Sequence, residues 1–254
     1  MPLNTQKIYD SLQNSRQSST VDLSRRVGLS ESTVRRALLD LEKRKLIGRF
    51  HGGAYILGPR DEEPPALKRA ANNQGAKERI AREAVNLVSP GDCILLTGGS
   101  TVACMCAYLK GMPELTVITD SLMVVNQLMY DEAVKLIVLG GVLNVREQCL
   151  EGFASMNIKR LRFNKMFHGI KSVSARDGFL TDDVRQVEFY RECAQMANKL
   201  VILAAGDKFF REGVSPLFGP AEVDTLITDG GAPPEMVARL QEQGCNVMIA
   251  GNEA

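Results

Sequence analysis

The sequence has few of the residues that mark metalloproteins, disulfide-rich proteins or membrane proteins. Its only histidines are His51 and His168, which excludes a histidine-rich metal site. Its six cysteines show no CxxC spacing and lie mostly in apolar stretches, which indicates buried free thiols in a reducing cytosol. No apolar run is long enough to span a bilayer, and no signal peptide is recognisable at the start. We therefore expect a cytoplasmic protein without a metal or another cofactor.

The chain has almost no net charge, at +1, but its charges are unevenly distributed. Residues 1–60 contain 11 Lys/Arg and 5 Asp/Glu, a net charge of +6, whereas the other residues contain 20 and 25, a net charge of −5. A basic segment before a mildly acidic body indicates that the segment contacts a polyanion, although a solvated charged surface explains it equally well. The contents of 44% hydrophobic and 24% charged residues are typical of a globular protein with a sizeable core.

Helices and a turn begin the sequence. Polar and apolar residues alternate at helical spacing over residues 5–14, which predicts a first helix. Thr20 can cap a short second helix, and Gly28 can end it because glycine tolerates positive φ. Ser30 can then cap a third helix. This order is typical of a helix-turn-helix module.

The predicted third helix has one apolar and one polar face. Val34, Leu38 and Leu41 repeat at i, i+4 and i+7 and form the predicted core stripe. The N-terminal residues of a recognition helix enter the major groove, where arginine binds guanine or phosphate. A generic packing module with a solvated basic face is the alternative. The candidate DNA-binding residues of this helix are Ser30, Ser32, Thr33, Arg35 and Arg36.

A predicted hairpin follows the third helix. Residues 47–57 read as two short strands around the turn 51–53, where two glycines permit tight reversal of the chain. Arg49 and His51 are expected at its tip, as further DNA contacts. The basic bias, the helix cap, the arginine pair and this wing together favour a winged helix-turn-helix DNA-binding domain over residues 1–57.

The composition of the sequence changes after the predicted hairpin. Residues 58–67 contain three prolines, a glycine and a charge run, which predicts a linker. In residues 68–254, helical stretches alternate with short apolar runs, which predicts a larger Rossmann-like α/β domain with a mostly parallel sheet. The predicted strands are Cys93–Leu96, Leu115–Thr119, Lys135–Leu139, Lys165–Ile170, Leu200–Ala204, Val223–Thr228 and Asn246–Ala250. The predicted helices lie near 77–88, 100–110, 121–131, 151–161, 183–198 and 234–243.

A glycine-rich loop follows the first strand of this second domain. Gly98 and Gly99 would let the backbone approach an anion, and Ser100 and Thr101 add hydroxyl donors at a helix start. The loop has neither the lysine of a Walker A motif nor the GxGxxG dinucleotide pattern. A tight strand-to-helix turn with hydroxyl capping is an equally good explanation of these residues.

Further polar residues follow neighbouring predicted strands. Ligands of open α/β sheets bind beyond the carboxyl ends of the strands, so these residues belong to the same candidate site as the loop. Lys208 can pair with a phosphate or a sugar oxygen, or can be a surface lysine beside Asp207. The candidate effector-binding residues beyond the loop are Asp120, Ser121, Gly140, Gly141 and Lys208.

These motifs resemble those of the DeoR family of bacterial transcriptional regulators, from about Gln6 to the C-terminus. The resemblance in the N-terminal part rests on Val21–Leu23, Val27, Ser30–Arg36, Leu41, Glu42 and His51–Ala54. The resemblance in the C-terminal part rests on Lys77, Ile80, Ala81, Gly91, Asp92, Gly99–Thr101, Thr119, Ser121, Leu139–Gly141, Gly152, Gly169, Gly178, Glu188, Arg191, Lys208 and Ile227–Asp229.

The resemblance implies a non-enzymatic repressor of a carbohydrate-utilisation operon. Its second domain would be similar in fold to ribose-5-phosphate isomerase and would sense a phosphorylated sugar or a related metabolite. Its partners would be a double-stranded DNA operator and further copies of the chain, in a dimer or tetramer. Gly98–Thr101 looks more like the isomerase loop than like the loop usual in the family.

Four positions depart from the family pattern. Ala37, Thr97 and Ala205 stand where acids are usual, and Asp120 stands where asparagine is usual. We expect Asp120 to face hydroxyls, because it would repel a phosphate placed close to it.

Two other functions stay open. One is a sugar-phosphate isomerase with an added DNA-binding head, in which Asp120, Asp207 or Glu188 is the base and Lys208 gives electrostatic support. The other is a DNA-binding oligomer whose pocket is vestigial.

Overall fold

The computed structural model describes residues 1–15, 17–44, 46–50, 52–56, 65–152, 158 and 160–251. The chain divides into two compact units, Met1–Glu62 and Glu63–Ala254. Within the described residues, no helix combines the length and the apolar character needed to cross a membrane.

The N-terminal unit is a winged helix-turn-helix, as predicted. Among its described residues, nine buried apolar side chains form the core, including Ile8, Leu12 and Leu23 together with the predicted stripe of the third helix. The strand before the second helix was not predicted, and it completes a three-stranded antiparallel sheet in the order β1-β3-β2. The elements are α1 (Leu3–Ser15), β1 (Gln17–Ser19), α2 (Thr20–Val27), α3 (Glu31–Lys43), β2 (Ile47–Phe50) and β3 (Gly53–Ile56).

The second unit is a Rossmann-like α/β domain, as predicted. Its strands are β4 (Cys93–Leu96), β5 (Thr116–Thr119), β6 (Lys135–Val138), β7 (Val142–Asn144), β8 (Cys149–Glu151), β9 (Phe163–Gly169), β10 (Ser172–Ser174), β11 (Gly178–Thr181), β12 (Ala197–Leu203), β13 (Ser215–Phe218), β14 (Thr225–Asp229) and β15 (Asn246–Ala250). Its α-helices are α4 (Ala66–Ala71), α5 (Gln74–Val85), α6 (Ser100–Ala103), α7 (Cys106–Leu109), α8 (Leu122–Leu128), α9 (Val187–Met196) and α10 (Pro234–Glu242). Short 3-10 helices cover Val184–Gln186, Gly206–Phe210 and Pro220–Glu222.

A seven-stranded parallel sheet forms the centre of this unit. Its order is β15-β14-β12-β9-β4-β5-β6, and all seven predicted apolar runs are its strands. Two clusters of buried apolar side chains pack against it, one containing Phe163 and Phe179 and the other containing Ile80 and Phe167. Because the strands are parallel, the segments that follow β4, β5 and β6 lie at one edge of the sheet, next to one another.

Several predicted elements differ from the structure. The helix expected over 100–110 is divided into α6 and α7, each of four residues. The helix expected over 151–161 lies largely outside the described residues, and Glu151 ends a strand. Ala66 and Leu67, which the sequence assigns to the linker, begin α4, and the Ala66 amide donates to the Arg146 carbonyl at 2.9 Å. Residues 57–64 of the hairpin end and linker lie outside the described residues.

Candidate functional site

The turn between α2 and α3 is set by three residues. Gly28 ends α2 with φ of 68°, in the left-handed region that glycine tolerates. The side chain of Ser24 donates a hydrogen bond to the Leu29 carbonyl at 2.5 Å and so closes the turn. Ser30 caps α3, as predicted, by accepting a hydrogen bond from the Thr33 amide at 3.3 Å.

The predicted cap of α2 was wrong by one residue. Ser19, not Thr20, accepts the hydrogen bond of the Asp22 amide, at 3.0 Å. Thr20 is buried and is the first helical residue. The cap belongs to Ser19 because its extended backbone, with φ of −67° and ψ of 154°, is the conformation of an N-cap.

One face of α3 is fixed in the core and the other is exposed. Val34, Leu38 and Leu41 are buried, as the spacing predicts. Ala37 is also buried, with 6% of its surface exposed, so this departure from the family pattern lies on the core side of α3 rather than on its exposed face. Ser32, Arg35, Arg36 and Lys43 are exposed, and Thr33 is half-buried.

The cations of this face differ in their partners. The guanidinium of Arg35 lies 3.1 Å from the Glu31 carboxylate, one turn earlier, and 65% of the Arg35 side chain is exposed. Such an exposed pair is weak, so Arg35 can exchange it for another anion. Arg36 has no hydrogen-bond or ion-pair partner among the residues that the structure describes. Arg36 is therefore available to a ligand.

In the wing, Arg49 is not at the tip of the hairpin, where the sequence analysis expects it. Arg49 lies inside β2, opposite Ala54, rather than at the tip of the hairpin. Its guanidinium is 3.4 Å from the Glu42 carboxylate of α3, which ties the wing to the helix. His51, the other residue expected at the tip, lies outside the described residues.

The glycine loop of the second unit joins β4 to α6. Gly99 has φ of 138° and ψ of 138°, a conformation that only glycine adopts readily. It also lies against Gly169 at the end of β9, where an added Cβ would be 3.7 Å from the Gly169 Cα atom. Ser100 and Thr101 are buried. Because α6 has a single turn, the groups of this loop that can bind an anion are its backbone amides and hydroxyls rather than a helix dipole.

Two lysines lie near this loop. Burial lowers the pKa of Lys77. The charge of Lys208, which lies in the 3-10 helix after β12, lowers this pKa further. The Lys77 ammonium donates to the carbonyls of Arg69 and Asn72. Cys104 lies beside Lys77 and donates to the Ser100 carbonyl at 3.2 Å. Lys208 and Cys104 thus both lie within electrostatic range of Lys77.

The segment after β5 is held firmly against the loop side of the sheet. Thr119 donates to the Leu96 carbonyl at 2.6 Å and accepts from the Ser121 amide at 3.0 Å. The Ser121 hydroxyl caps α8, accepting from the Val124 amide at 3.4 Å. Ser121, a candidate effector-binding residue, therefore acts as a helix cap.

Asp120 lies between these residues and is buried, with only 1% of its surface exposed. The Tyr190 hydroxyl of α9 donates to its Oδ2 atom at 2.9 Å. Burial raises the pKa of Asp120 to about 6, although the hydrogen bond from Tyr190 opposes this effect. Hydrogen bonds from the backbone amides of Asp120 and Gly98 also oppose the rise in the pKa of this carboxyl.

A second buried polar pair joins the residue after β4 to β9. The side chain of Thr97 and the Nδ1 atom of His168 are hydrogen-bonded at 2.9 Å, and the His168 ring lies 4.5 Å from that of Tyr190. Burial lowers the pKa of His168 to about 3, so the imidazole is neutral. The sequence reading missed His168 and Tyr190 as site residues. Two sequence features could have indicated them: a histidine directly before the glycine that ends β9, and a tyrosine on an otherwise apolar helix face.

Gly140 and Gly141 lead into a hairpin that covers the site. An added Cβ at Gly141 would be 2.4 Å from the Glu151 carbonyl oxygen, so this glycine permits close approach of two backbones. The hairpin β7-β8 then reaches the loop: the Leu150 amide donates to the Asp120 carbonyl at 2.8 Å, and an added Cβ at Gly98 would be 3.4 Å from the Cys149 Cβ atom. Gly141 is thereby explained by packing, whereas Gly140 has open space around it.

The comparisons with known proteins agree with these two units. A model of the DeoR-like helix-turn-helix domain matches residues 5–59, and a model of the DeoR C terminal sensor domain matches residues 72–230. The chain is 27% identical to an aga operon transcriptional repressor of Escherichia coli O157:H7, over 94% of this chain and 91% of that protein. It is 29% identical to the glycerol-3-phosphate regulon repressor of Escherichia coli K12, over 88% of this chain and 89% of that protein.

Among solved structures, the chain is similar to ribose 5-phosphate isomerase A from Methanocaldococcus jannaschii. The TM-score is 0.41 and the identity 21%, over 54% of this chain and 55% of that chain. The two domain models together cover most of the chain, in the order and at the positions of the two structural units. The chain therefore belongs to the DeoR family of transcriptional regulators.

Proposed function

We propose that the chain is a repressor that binds double-stranded operator DNA through the exposed face of α3. The observation that carries this proposal is the exposed set of hydroxyls and cations on α3, in which Arg36 has no partner among the described residues. A helix of this kind fits the major groove, where arginine hydrogen-bonds to guanine or to phosphate. Arg49 and Arg35 would contact the phosphate backbone by exchanging their weak carboxylate pairs for phosphates.

The second unit would sense a phosphorylated sugar or a related metabolite. Two similar proteins are named as repressors of an aga operon and of a glycerol-3-phosphate regulon, which supports this class of effector. Gly98–Thr101 and Lys208 would bind the phosphate, since the loop offers amides and hydroxyls and the lysines supply positive charge. Asp120 would face the uncharged part of the ligand, because a buried carboxylate repels a phosphate.

The repressor would act as a cytoplasmic dimer or tetramer. Two DNA-binding units would bind half-sites separated by about one helical turn, ~10 bp, or a multiple of it. The effector would change DNA affinity by binding two arrangements of the oligomer with different affinity.

We do not propose the isomerase activity that the sequence left open. The Asp207 carboxylate, one candidate base, is bound by the Arg211 guanidinium of the next turn at 2.5 Å. Glu188 is exposed on α9, and Ala205 supplies no acid. The remaining candidate, Asp120, already accepts a hydrogen bond from Tyr190.

The test begins with selection of duplexes from a random-sequence DNA library by the full chain. The enriched duplex is then titrated by fluorescence anisotropy against a scrambled duplex, alone and with a panel of three- to six-carbon sugar phosphates. We expect sequence-selective binding that at least one sugar phosphate changes and that inorganic phosphate alone does not. Equal binding to both duplexes would reject the proposal.

A further inference from the structure

The second unit, which we call the sensor unit, begins with a short helix. Helix α4 (Ala66–Ala71) is its first described element, and in the sequence it follows residues 57–64, which join it to the wing. The helix has six residues and no side-chain cap at its start. Because isolated helices of this length are not stable in water, the position of α4 depends on its contacts with the rest of the sensor unit.

The hairpin β7-β8 makes two of these contacts, through the turn between its strands. The Ala66 amide donates to the Arg146 carbonyl at 2.9 Å, and the guanidinium of Arg69 lies 2.7 Å from the Glu147 carboxylate. The side chains of Arg69 and Glu147 are 12% and 29% exposed, so salt and water screen this ion pair less than an exposed pair. The turn therefore holds α4 by one backbone contact and one charged contact.

The other end of α4 is held by helix α5. The ammonium of Lys77, which is buried, donates to the carbonyls of Arg69 and Asn72 at this end. A cation is a favourable donor there, because the last carbonyls of a helix carry a partial negative charge. Helix α4 also packs against α6, which begins at the glycine loop. Both ends of α4 are thus fixed by contacts within the sensor unit.

The same hairpin contacts the candidate effector site. An added Cβ at Gly98 would be 3.4 Å from the Cβ atom of Cys149, and the Leu150 amide donates to the Asp120 carbonyl at 2.8 Å. Cys149 follows Glu147 by two residues, and its strand β8 is paired with β7. One small element therefore touches the glycine loop and α4. A ligand bound at the loop would contact this hairpin, and a shift of the hairpin would move the turn that holds α4.

We propose that the hairpin β7-β8 and the Arg69–Glu147 ion pair couple effector binding at the glycine loop to the DNA affinity of α3, through α4 and the segment before it. The two states of the protein differ in whether Arg69 is bound to Glu147, and the effector binds these states with different affinity. Arg69 and Glu147 are positioning residues, which contact neither DNA nor effector. The inference rests on the proposed function, because it takes both binding sites from there.

The test compares the wild-type full chain with Arg69→Met, Glu147→Gln and the exchanged pair Arg69→Glu/Glu147→Arg. Asp92→Asn is the matched control, because it breaks an ion pair with Lys165 whose side chains are similarly buried, at 13% and 17% exposed. Affinity for the enriched duplex is measured by anisotropy, with and without the sugar phosphate of the panel that changes wild-type binding most. Calorimetry gives the affinity for that sugar phosphate without DNA, and thermal unfolding is recorded for each chain.

We expect the sugar phosphate to change the DNA affinity of the wild type about 10-fold or more, and that of Arg69→Met and Glu147→Gln less than about 2-fold. Both variants should still bind the sugar phosphate within about 3-fold of the wild type, since the glycine loop is unchanged. The exchanged pair should respond more strongly than either single variant, because it restores the attraction. Asp92→Asn should melt at a lower temperature, as the single variants do, but should respond like the wild type.

Two failures are distinguishable. If no sugar phosphate changes the DNA affinity of the wild type, the sensing part of the proposed function fails and this inference fails with it. If one does, the inference alone fails when Arg69→Met and Glu147→Gln respond like the wild type, or when the exchanged pair responds no better than they do. It also fails when Asp92→Asn loses the response, because lower stability then explains the loss.

Discussion

The hydroxyl of Tyr190 donates a hydrogen bond to Oδ2 of Asp120 at 2.9 Å and so connects α9 to the end of β5. The ring of Tyr190 also packs on His168, which is hydrogen-bonded to Thr97 at the head of the glycine loop. Four polar side chains, which follow β4 and β5 or belong to β9 and α9, therefore form one buried group at the carboxyl edge of the sheet. Two titratable members of this group, Asp120 and His168, give opposite dependences of stability on pH.

Replacement of Asp120 by asparagine should stabilise the protein at high pH. The folded-state pKa of Asp120 is raised from 3.8 to about 6, so its contribution favours folding below about pH 4 and is lost as the pH rises through 6. Asparagine does not ionise and can still accept the Tyr190 hydrogen bond. We expect Asp120→Asn to raise the free energy of unfolding by up to ~3 kcal/mol at pH 8 and by little at pH 4. Urea unfolding followed by circular dichroism at both pH values measures this. A loss of stability at pH 8 would contradict it.

His168 should make stability depend on pH in the sense opposite to Asp120. Its folded-state pKa is lowered from 6.5 to about 3, so its contribution is present above pH 6.5 and is lost as the pH falls towards 3. Protonation of the unfolded chain at pH 5 should therefore cost the wild type about 2 kcal/mol relative to pH 8. His168→Asn removes this pH-dependent loss of stability, although the cavity left by the smaller side chain lowers stability at every pH. The free energies of unfolding of variant and wild type should therefore differ by about 2 kcal/mol less at pH 5 than at pH 8. An equal difference at both pH values would mean that His168 is not buried as a neutral group.

Gly99 should tolerate no side chain. Its φ of 138° and ψ of 138° are strained for any L-residue, so Gly99→Ala should lower the free energy of unfolding by about 1–3 kcal/mol. Gly230→Ala is the matched control, since no atom lies within 4 Å of its added Cβ and its φ lies outside the left-handed region. The control should change stability by less than about 0.5 kcal/mol. Equal effects in chemical denaturation would show that the loop conformation is not the cause.

The parallel sheet was predictable from local patterns because each of its strands is a short apolar run in the sequence. The two small antiparallel groups were not predicted. Val142–Asn144 has exposed residues on a hairpin, and Ser172–Ser174 pairs with a strand that is paired in turn with Ser215–Phe218, more than 30 residues further on. Their strands are three or four residues long and depend on contacts between distant parts of the chain.

The candidate site was predictable only in part, for a related reason. Loops after successive strands β4, β5 and β6 were expected at one edge because parallel strands place them there. The contribution of His168 depends on β9 lying between β4 and β12, an order that no local pattern contains. Ala37 shows the same limit at the DNA-binding helix, since its burial against the N-terminal core follows from packing rather than from the arginine pair before it.

The most direct test of the DNA-binding account is the salt dependence of affinity for the enriched duplex, measured by anisotropy for the wild type and Arg36→Ala. The control, Arg176→Ala, removes the same charge from a side chain that is 93% exposed in the sensor unit. We expect affinity of the wild type to fall steeply with salt, and Arg36→Ala to bind about 10- to 100-fold more weakly, while Arg176→Ala binds like the wild type. Affinity that is independent of salt, or Arg36→Ala and Arg176→Ala that bind alike, would contradict the assignment of α3 as the DNA-reading helix.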